Sequence, residues 1–475
     1  MNTLLYPPSI DWELTPICNH NCIHCYNFWR GIGSQKSDLP SEEYYISIAN
    51  KIVESHPVSV QVTGGEPLIV WDRVKKAIQI LIEKGINVSI NTNATLVTDE
   101  IADFLGKNNM DAFVSFPCLE KNIFDEIVHC KGAFERAENG INILLKHDVR
   151  VSLNMVVTKI NFPYVYETGL YVKQKFDAHY FSATKASFPQ NAAKEFKDKI
   201  LDINEFNSML KALIKLKRET GMRVDSAWVY SMCGFENQEL LEQFGFHRKC
   251  GCGRYNFVID SNGNMKACGC DSKVYGNILE DSFEHAILRM HEWQTGVLLP
   301  DKCKFCINLK YCGGGCRSDA KSTTGTECGM DSTANPVHKV GEVRGEKNVN
   351  NLPDNLVLKL NPNVEAVTER CGVRLSVRTN YAFVTHEFYE YMQDNAGVTL
   401  ELIKKNARIG ENDLNTDVYT LLKKRILVAT DTKNESALEH VNPFSIMAIP
   451  YIEKDSIRTI KDYVCDLNVR YSGKI

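Results

Sequence analysis

The sequence lacks the features that would place the protein in a membrane or on a polyanion. No apolar run reaches the roughly 20 residues that a membrane-spanning helix needs, and residues 1–12 have neither the basic start nor the apolar core of a secretory signal. Lys and Arg total 55 against 59 Asp and Glu, a net charge of −4, which provides no general attraction to nucleic acid or anionic lipid. We therefore expect a cytoplasmic protein with no nucleic-acid and no membrane partner.

Cysteine, by contrast, is abundant, with 17 among 475 residues. Disulfides rarely persist in the cytoplasm, so clustered cysteines there indicate metal ligands or catalytic thiols. Three of them lie between residues 18 and 25, and nine lie between residues 250 and 328. The other five are isolated in the sequence: Cys118, Cys130, Cys233, Cys371 and Cys465.

Short apolar strands alternate with helix-period segments over the first 185 residues. The predicted strands are residues 10–15, 58–62, 86–90, 112–116, 149–157 and 178–181. Successive β-α units form a parallel sheet, because each helix returns the chain to the starting edge of the next strand. Six units are fewer than the eight of a closed barrel. The sequence therefore predicts an α/β fold with a partial (β/α)6 barrel.

The first cysteine group, Cys18, Cys22 and Cys25, occupies the loop after the first predicted strand. Iron–sulfur cubanes normally take four thiolates, so three cysteines leave one iron open to a small molecule. This three-then-two spacing, followed by Tyr26, resembles the signature of the radical S-adenosylmethionine (SAM) superfamily. The alternative is a structural zinc site completed by His20 or His24.

The resemblance implies that the open iron binds SAM, whose reductive cleavage gives a 5′-deoxyadenosyl radical that abstracts hydrogen from a substrate. Polar residues at the carboxyl ends of later strands match the family's cofactor contacts, including a Gly-Gly-Glu motif after the second strand. Turn formation and polar filling of the barrel are the alternatives for several of them. The predicted cofactor-binding residues are Tyr26, Gly64, Gly65, Glu66, Asn91, Asn93, Ser152 and Asn154.

The sequence departs from related peptide-modifying enzymes after the fourth strand. Pro117 and Cys118 replace the usual Asp-Gly turn, and His129 or Cys130 stands where an Arg is expected. The usual contact to the cofactor carboxylate therefore has no evident counterpart. Cys118 could reach the cavity, although a buried, inert thiol is the favoured interpretation.

The second cysteine group resembles the SPASM module, which carries auxiliary iron–sulfur clusters. Cys252 is followed by ten residues, Gly263, four residues and Cys268, and a later run has gaps of two, five and three residues between cysteines. The resemblance implies one cubane on Cys268, Cys316 and one or both of Cys250 and Cys252, with Cys270 as a rival ligand. It implies a second cubane on Cys303, Cys306, Cys312 and Cys328. A zinc ribbon is the alternative.

Residues 356–430 are predicted to form a small α+β domain. Strands near 356–360, 373–377 and 381–383 precede helices near 386–395, 399–407 and 414–424, and a last strand lies near 426–428. One three-stranded sheet with three helices resembles a winged helix of the precursor-peptide recognition type, which binds a leader peptide as an added strand. A structural cap is the alternative.

The predicted domain organisation follows from these patterns. The barrel covers residues 1–195, a helical connection 196–246, the SPASM module 247–332, a linker 333–355, the winged helix 356–430 and a tail 431–475.

Together the motifs predict a radical SAM peptide maturase with three [4Fe–4S] clusters. Its expected partners are a precursor peptide with a leader and an electron donor such as flavodoxin or ferredoxin. The product could be a thioether crosslink, a carbon–carbon crosslink or an epimerised residue, and the sequence identifies no catalytic acid or base. The alternatives are an oxidase of a protein side chain or small molecule, and a redox-sensing regulator with a DNA-binding winged helix.

Overall fold

The fold is described from a computed structural model of the chain. The structure describes residues 4–27, 39–187, 194–245, 249–335, 352–395, 397–407 and 411–430. Most of the predicted linker and all of the tail beyond residue 430 lie outside the described residues. Within these ranges, no helix is long and apolar enough to cross a membrane.

Seven parallel strands form the barrel sheet, each paired with its neighbour in sequence. All six predicted strands are present, which confirms the partial-barrel prediction. The seventh strand lies in the segment predicted to be helical; its three residues are too few to show a strand period. The strands are β1 (Ser9–Glu13), β2 (Ser59–Thr63), β3 (Asn87–Thr92), β4 (Asp111–Ser115), β5 (Val151–Val157), β6 (Tyr180–Lys185) and β7 (Arg223–Asp225).

Three of the helices described between these strands begin at side-chain caps. Ser41 accepts a hydrogen bond from the N–H of Tyr44, and Asp202 forms a capping box with Glu205, which satisfies N–H groups that have no partner within the helix. The helices are α1 (Glu42–Glu54), α2 (Trp71–Glu83), α3 (Asp99–Lys107), α4 (Lys121–Val128), α5 (Ala133–Lys146), α6 (Val165–Phe176), α7 (Lys194–Lys197), α8 (Ile203–Thr220) and α9 (Gln238–Leu240).

The barrel sheet has one apolar face and one polar face. Trp12, Val62 and Ile90 are in register on neighbouring strands and fully buried in the core with the helices. The residues one position away point to the opposite face, because strand side chains alternate. On that face Ser115, Asn154 and Ser182 are in register. The sheet therefore presents a row of polar groups to the barrel interior.

The second cysteine region extends this same sheet. Strand β8 (Asn256–Ile259) pairs parallel with β1, and β9 (Met265–Lys266) pairs antiparallel with β8. Strands β8 and β9 form a hairpin, with Gly263 in its turn at φ +78°. The remaining helices are short: α10 (Phe283–Arg289), α11 (His291–Gln294), α12 (Asp301–Lys304), α13 (Leu309–Cys312) and α14 (Arg317–Thr324).

The C-terminal domain has two three-stranded sheets rather than the single sheet predicted. Two strands were missed. The first, β11, shows little apolar alternation because most of its residues are exposed, and the second, β14, has only two residues. The three predicted helices are present. The elements are β10 (Val357–Leu360), β11 (Glu365–Glu369), β12 (Gly372–Val377), β13 (Asn380–Val384), α15 (His386–Asp394), β14 (Val398–Thr399), α16 (Leu400–Asn406), α17 (Glu411–Lys423) and β15 (Leu427–Ala429).

This domain packs firmly against the barrel. The N–H of Leu5 donates to the Glu369 carboxylate at 2.7 Å, and the Arg374 guanidinium donates to the carbonyl of His56. Arg374 and Glu369 are both almost fully buried, with 3.5 Å between their charged groups. Buried charges are costly unless paired, so this pair fixes where the domain docks.

Candidate active site

The first cysteine loop is positioned by the backbone of two neighbouring strand ends. The N–H of Gly65 donates to the carbonyl of Thr15 at 2.6 Å, and that of Glu66 donates to Ile17 at 2.8 Å. A Cβ on Gly65 would lie 2.0 Å from the Ile17 carbonyl oxygen, so no larger residue fits. The Gly-Gly pair predicted to approach a ligand therefore has an intramolecular role: it lets β2 hold the base of the cysteine loop.

Glu66 is 1% exposed and ties the end of β2 to the end of β3. Its carboxylate accepts hydrogen bonds from the Thr92 hydroxyl at 2.6 Å, the Asn93 N–H at 2.8 Å and the Leu68 N–H at 3.2 Å. Burial raises the pKa of Glu66 to about 7, against the opposing effect of these donors. Three protein hydrogen bonds already use this carboxylate, so its contact to a cofactor amino group stays a prediction.

The two asparagines predicted at the end of β3, Asn91 and Asn93, make different contacts. Asn93 donates to the Asn19 side chain at 2.8 Å and therefore connects the loop after β3 to the cysteine loop. Asn91 lies in register with Phe113, which is in register with Ser152. Asn91 and Ser152 therefore share one row of the polar inner face, as the predicted cofactor contacts require.

Asn154 occupies the next row of this face and is buried. Its side-chain oxygen accepts hydrogen bonds from the hydroxyls of Ser182 at 2.6 Å and Thr184 at 2.9 Å. These two partners on β6 were missed by the sequence analysis, although their alternation in that strand was a usable signal. The three side chains form a preorganised polar group inside the barrel.

Tyr26 lies between the two cysteine regions. Burial raises the pKa of its hydroxyl well above the usual value, and the nearby charges of Glu13, Cys270 and Cys25 act in the same direction. Glu13 itself is paired with Lys266 of β9 at 3.1 Å, and both are almost fully buried. This ion pair was not predicted; the signal was the acidic alternation of Asp11 and Glu13 in an otherwise apolar strand.

Five thiols of the second region come together, including all the candidates for the first auxiliary ligand set. The Cys252 thiol hydrogen-bonds with those of Cys250 and Cys268, and Cys268 also with Cys270. Burial raises the pKa of Cys316 well above its usual value, and the charges of Cys250 and Cys268 add to this. A small cleft, partly open to solvent, adjoins this group, and its lining includes Cys250, Cys252, Gly313 and Gly315.

Another group contains Cys303, Cys306 and Cys312. Burial raises the pKa of Cys303 to about 12, with the charge of Cys312 as the next largest cause. Cys328, the fourth predicted ligand, is exposed, and its sulfur lies 3.5 Å from the carbonyl oxygen of Val297. Cys118 is fully buried in the barrel core and its pKa is raised to about 11 by that burial, which agrees with an inert thiol.

The donor sets fit iron–sulfur clusters better than single ions. Across the described ranges the cysteines form no disulfide, and no three His, Cys, Asp or Glu side chains there are arranged to hold one metal ion. In a cubane each thiolate binds a different iron, so the sulfurs surround a volume instead of a point. Groups of neighbouring thiols beside a cleft meet that requirement.

Residues 12–168 match the Radical SAM superfamily, a region that runs from β1 into α6 and contains the first cysteine loop, Gly64–Glu66 and Asn154. This chain contains a radical SAM domain. A radical SAM domain binds SAM and a [4Fe–4S] cluster. In this enzyme Cys18, Cys22 and Cys25 are the thiols available to that cluster in the matched loop.

The enzyme is similar to several characterised proteins over about two thirds of its length. It is 24% identical to the AdoMet-dependent heme synthase of Methanosarcina barkeri, covering 67% of this chain and 93% of that protein. It is also 24% identical to the subtilosin biosynthesis protein AlbA of Bacillus subtilis, covering 66% and 68%. The structure of Streptococcus suis SuiB bound to precursor peptide SuiA shares the fold, with 18% identity, a TM-score of 0.58 and coverage of 70% and 77%.

Proposed function

We propose that this enzyme modifies a residue of a ribosomally made precursor peptide. The observation that carries the proposal is the union of a radical SAM barrel with a separate C-terminal domain that docks on it through buried contacts. Relatives named for peptide products, AlbA among them, support the assignment. SuiB, which shares the fold, was solved with a precursor peptide bound.

The chain would hold three [4Fe–4S] clusters. The first is assigned to Cys18, Cys22 and Cys25, and the auxiliary pair to the two thiol groups of the second region. When bound, SAM and the first cluster supply a 5′-deoxyadenosyl radical that abstracts hydrogen from the substrate. Asn91, Ser152 and Asn154 would orient the cofactor from the inner face of the sheet, and Glu66 would hold the loops around it in place.

The C-terminal domain would capture the leader of the peptide at the edge of β11. Glu365, Ala366 and Thr368 of this strand are exposed, whereas β13 at the other edge of the sheet is almost entirely buried. An extended peptide added to β11 would gain backbone hydrogen bonds without using the segment that reacts. Its winged-helix character is part of this proposal.

Oxidation of a small molecule is the second candidate, favoured by the similarity to a heme synthase. That similarity covers 93% of the synthase but leaves a third of this chain unmatched. A small substrate gives no evident task to a further domain of strands and helices. The peptide assignment accounts for this domain, and we therefore prefer it.

Peptide binding by edge variants tests the proposal. The probe is a candidate precursor, to be sought as a short reading frame beside this gene. Its binding is measured anaerobically by fluorescence anisotropy together with 5′-deoxyadenosine release. Ala366→Pro should weaken binding at least tenfold, because proline disrupts pairing at a strand edge, while SAM cleavage without peptide persists. Glu387→Pro is the matched control, since the first turn of α15 tolerates proline. Equal binding by both variants, or a wild-type enzyme that does not bind the peptide, would contradict the proposal.

A further inference from the structure

Cys233 is isolated in the sequence, but the structure places it beside the second auxiliary thiol group. It lies in a short 3₁₀ turn, Met232–Gly234, between the barrel and the cysteine-rich region. The N–H of Met232 donates to the sulfur of Cys312 at 3.3 Å. The turn that carries Cys233 is therefore in direct contact with one of the predicted cluster ligands.

Polar contacts fix this turn against the segment that follows Cys328. The Ser231 hydroxyl donates to the Asp331 carboxylate at 2.9 Å, and the Ser231 N–H donates to the Thr333 hydroxyl at 3.1 Å. A Cβ on Gly234 would lie 2.1 Å from the Thr333 carbonyl oxygen. The approach is thus close on both sides of Cys233, so its position is determined by packing.

The electrostatics agree with a group of four neighbouring thiols. Burial raises the pKa of Cys233 to about 11, and the charges of Cys312 and Cys306 raise it further. Cys233 in turn is among the charges that raise the pKa of Cys303. Such mutual influence requires the sulfurs to be near one another, since charge interactions weaken with distance.

Cys328 has a different environment. Its thiol is exposed and its sulfur faces the Val297 carbonyl, while Met330, two residues later, brings its own sulfur to 3.9 Å from that of Cys303. The chain after Cys328 therefore reaches the thiol group through a methionine. Cys233 is half-buried and therefore better shielded from water than Cys328. Cys306 is exposed as well, but its charge, like that of Cys233, acts on Cys303.

We propose that Cys233, rather than Cys328, is the fourth thiolate of the second auxiliary cluster, together with Cys303, Cys306 and Cys312. This inference rests on the proposed auxiliary clusters. It means that the cluster is held partly by the segment that leaves the barrel, so that forming the cluster joins the two regions.

Iron content tests the inference directly. The wild-type enzyme and the variants Cys233→Ser, Cys328→Ser and Cys371→Ser are reconstituted anaerobically and analysed for iron, sulfide and electron paramagnetic resonance signals. We expect about twelve irons in the wild type and in the Cys328→Ser and Cys371→Ser variants. Cys233→Ser should lose one to four irons or show a three-iron signal. Cys371 is the matched control, a partly buried thiol in the C-terminal domain.

Alkylation of the wild-type enzyme supplies a second readout that needs no variant to fold. In the reconstituted enzyme iodoacetamide should modify Cys328 and spare Cys233, and chelation of iron should expose Cys233. Protection of Cys328 by iron, or iron loss in Cys328→Ser, would overturn the assignment, as would full iron retention in Cys233→Ser. A wild type with only about four irons would refute the auxiliary clusters themselves, and this inference with them.

Discussion

The two cysteine regions differ in how much apolar core surrounds them. The first loop is attached to a barrel whose helices, such as α1, α5 and α8, span 13 to 18 residues and bury a continuous apolar core. The second region has helices of four to eight residues. Its residues up to Trp293 add to the barrel core, but within described residues 296–335 the large buried apolar side chains are Leu299, Leu309 and Tyr311. A segment that buries little apolar surface gains little from folding. We conclude that the barrel can fold without metal, whereas the second region depends on it.

Polar contacts in the second region illustrate this dependence. Gly313, Gly314 and Gly315 are consecutive residues with positive φ, a conformation that is costly for other residues. The buried Arg317 guanidinium donates to the carbonyls of Leu298, Glu327 and Gly329 at 2.8 to 3.2 Å. One side chain thus holds several loops that have little apolar packing between them.

The largest expected effect follows from removing the first cluster alone. Replacing Cys18, Cys22 and Cys25 together by Ala should abolish 5′-deoxyadenosine formation, because no thiolates remain in that loop, and should leave about eight of twelve irons bound. Liquid chromatography of the nucleoside and iron analysis measure both outcomes.

The matched control is Cys118→Ala, which removes a buried thiol from the same barrel and should keep cofactor cleavage. Nucleoside formation by the triple variant would show that the first loop is not the SAM site. Loss of all iron would show that the two regions do not bind metal independently.

Removing all iron should loosen the second region and leave the barrel folded. After anaerobic chelation, amide hydrogens of residues 296–335 should exchange roughly tenfold faster, because metal binding is coupled to the folding of such segments. Amides of β2 to β5 should remain protected by the apolar core. Hydrogen exchange with mass spectrometry measures both, and equal protection of the second region before and after chelation would contradict the comparison.

The sequence was informative where a pattern is local. The six strands and the cysteine spacings each depend on residues near one another in the chain, and the structure contains all six strands. Strand β7 was missed because three residues carry no period, and β11 because Glu365, Ala366 and Thr368 are exposed.

Contacts between distant segments could not be predicted. The pairing of β8 with β1 joins residues about 250 positions apart, and the Glu13–Lys266 pair depends on it. The approach of Cys233 to Cys312 spans 79 residues and follows from docking of a turn, not from any spacing rule. Ligand sets that cross domains therefore required the structure.

The Glu13–Lys266 pair connects the two regions, and breaking it should cost stability. Well above pH 8, where Glu13 is ionised in the wild type, Lys266→Met leaves this buried carboxylate without its cation, which should lower the free energy of unfolding by about 3–5 kcal/mol. The double variant Glu13→Gln/Lys266→Met should recover most of this loss. Chemical unfolding monitored by circular dichroism measures the cycle, and additive losses would show that the two groups do not interact.

The effect should also depend on pH. Burial raises the pKa of Glu13 from 4.5 to about 8, so its contribution to stability is present below pH 4.5 and is lost as pH rises through about 8. Lys266→Met raises this pKa further. Glu13 is protonated in both proteins below about pH 7, so the penalty of the variant should be small there and grow as pH rises above about 8. A penalty that does not vary with pH would show that the loss comes from packing alone.

The smallest effect concerns Asn154, whose hydrogen bonds with Ser182 and Thr184 lie wholly within the barrel. Asn154→Leu leaves two buried hydroxyls without their acceptor and should cost about 1–3 kcal/mol, whereas Asn154→Asp keeps an acceptor and should cost less. If the stability of the barrel does not depend on metal, the variant loses the same free energy of unfolding in iron-free and in reconstituted protein. Chemical unfolding of both proteins measures this. A stability loss that occurs only in reconstituted enzyme with SAM would instead show that Asn154 acts on the cofactor. The stability of the barrel's polar face, like that of the second cysteine region, would then depend on a bound group.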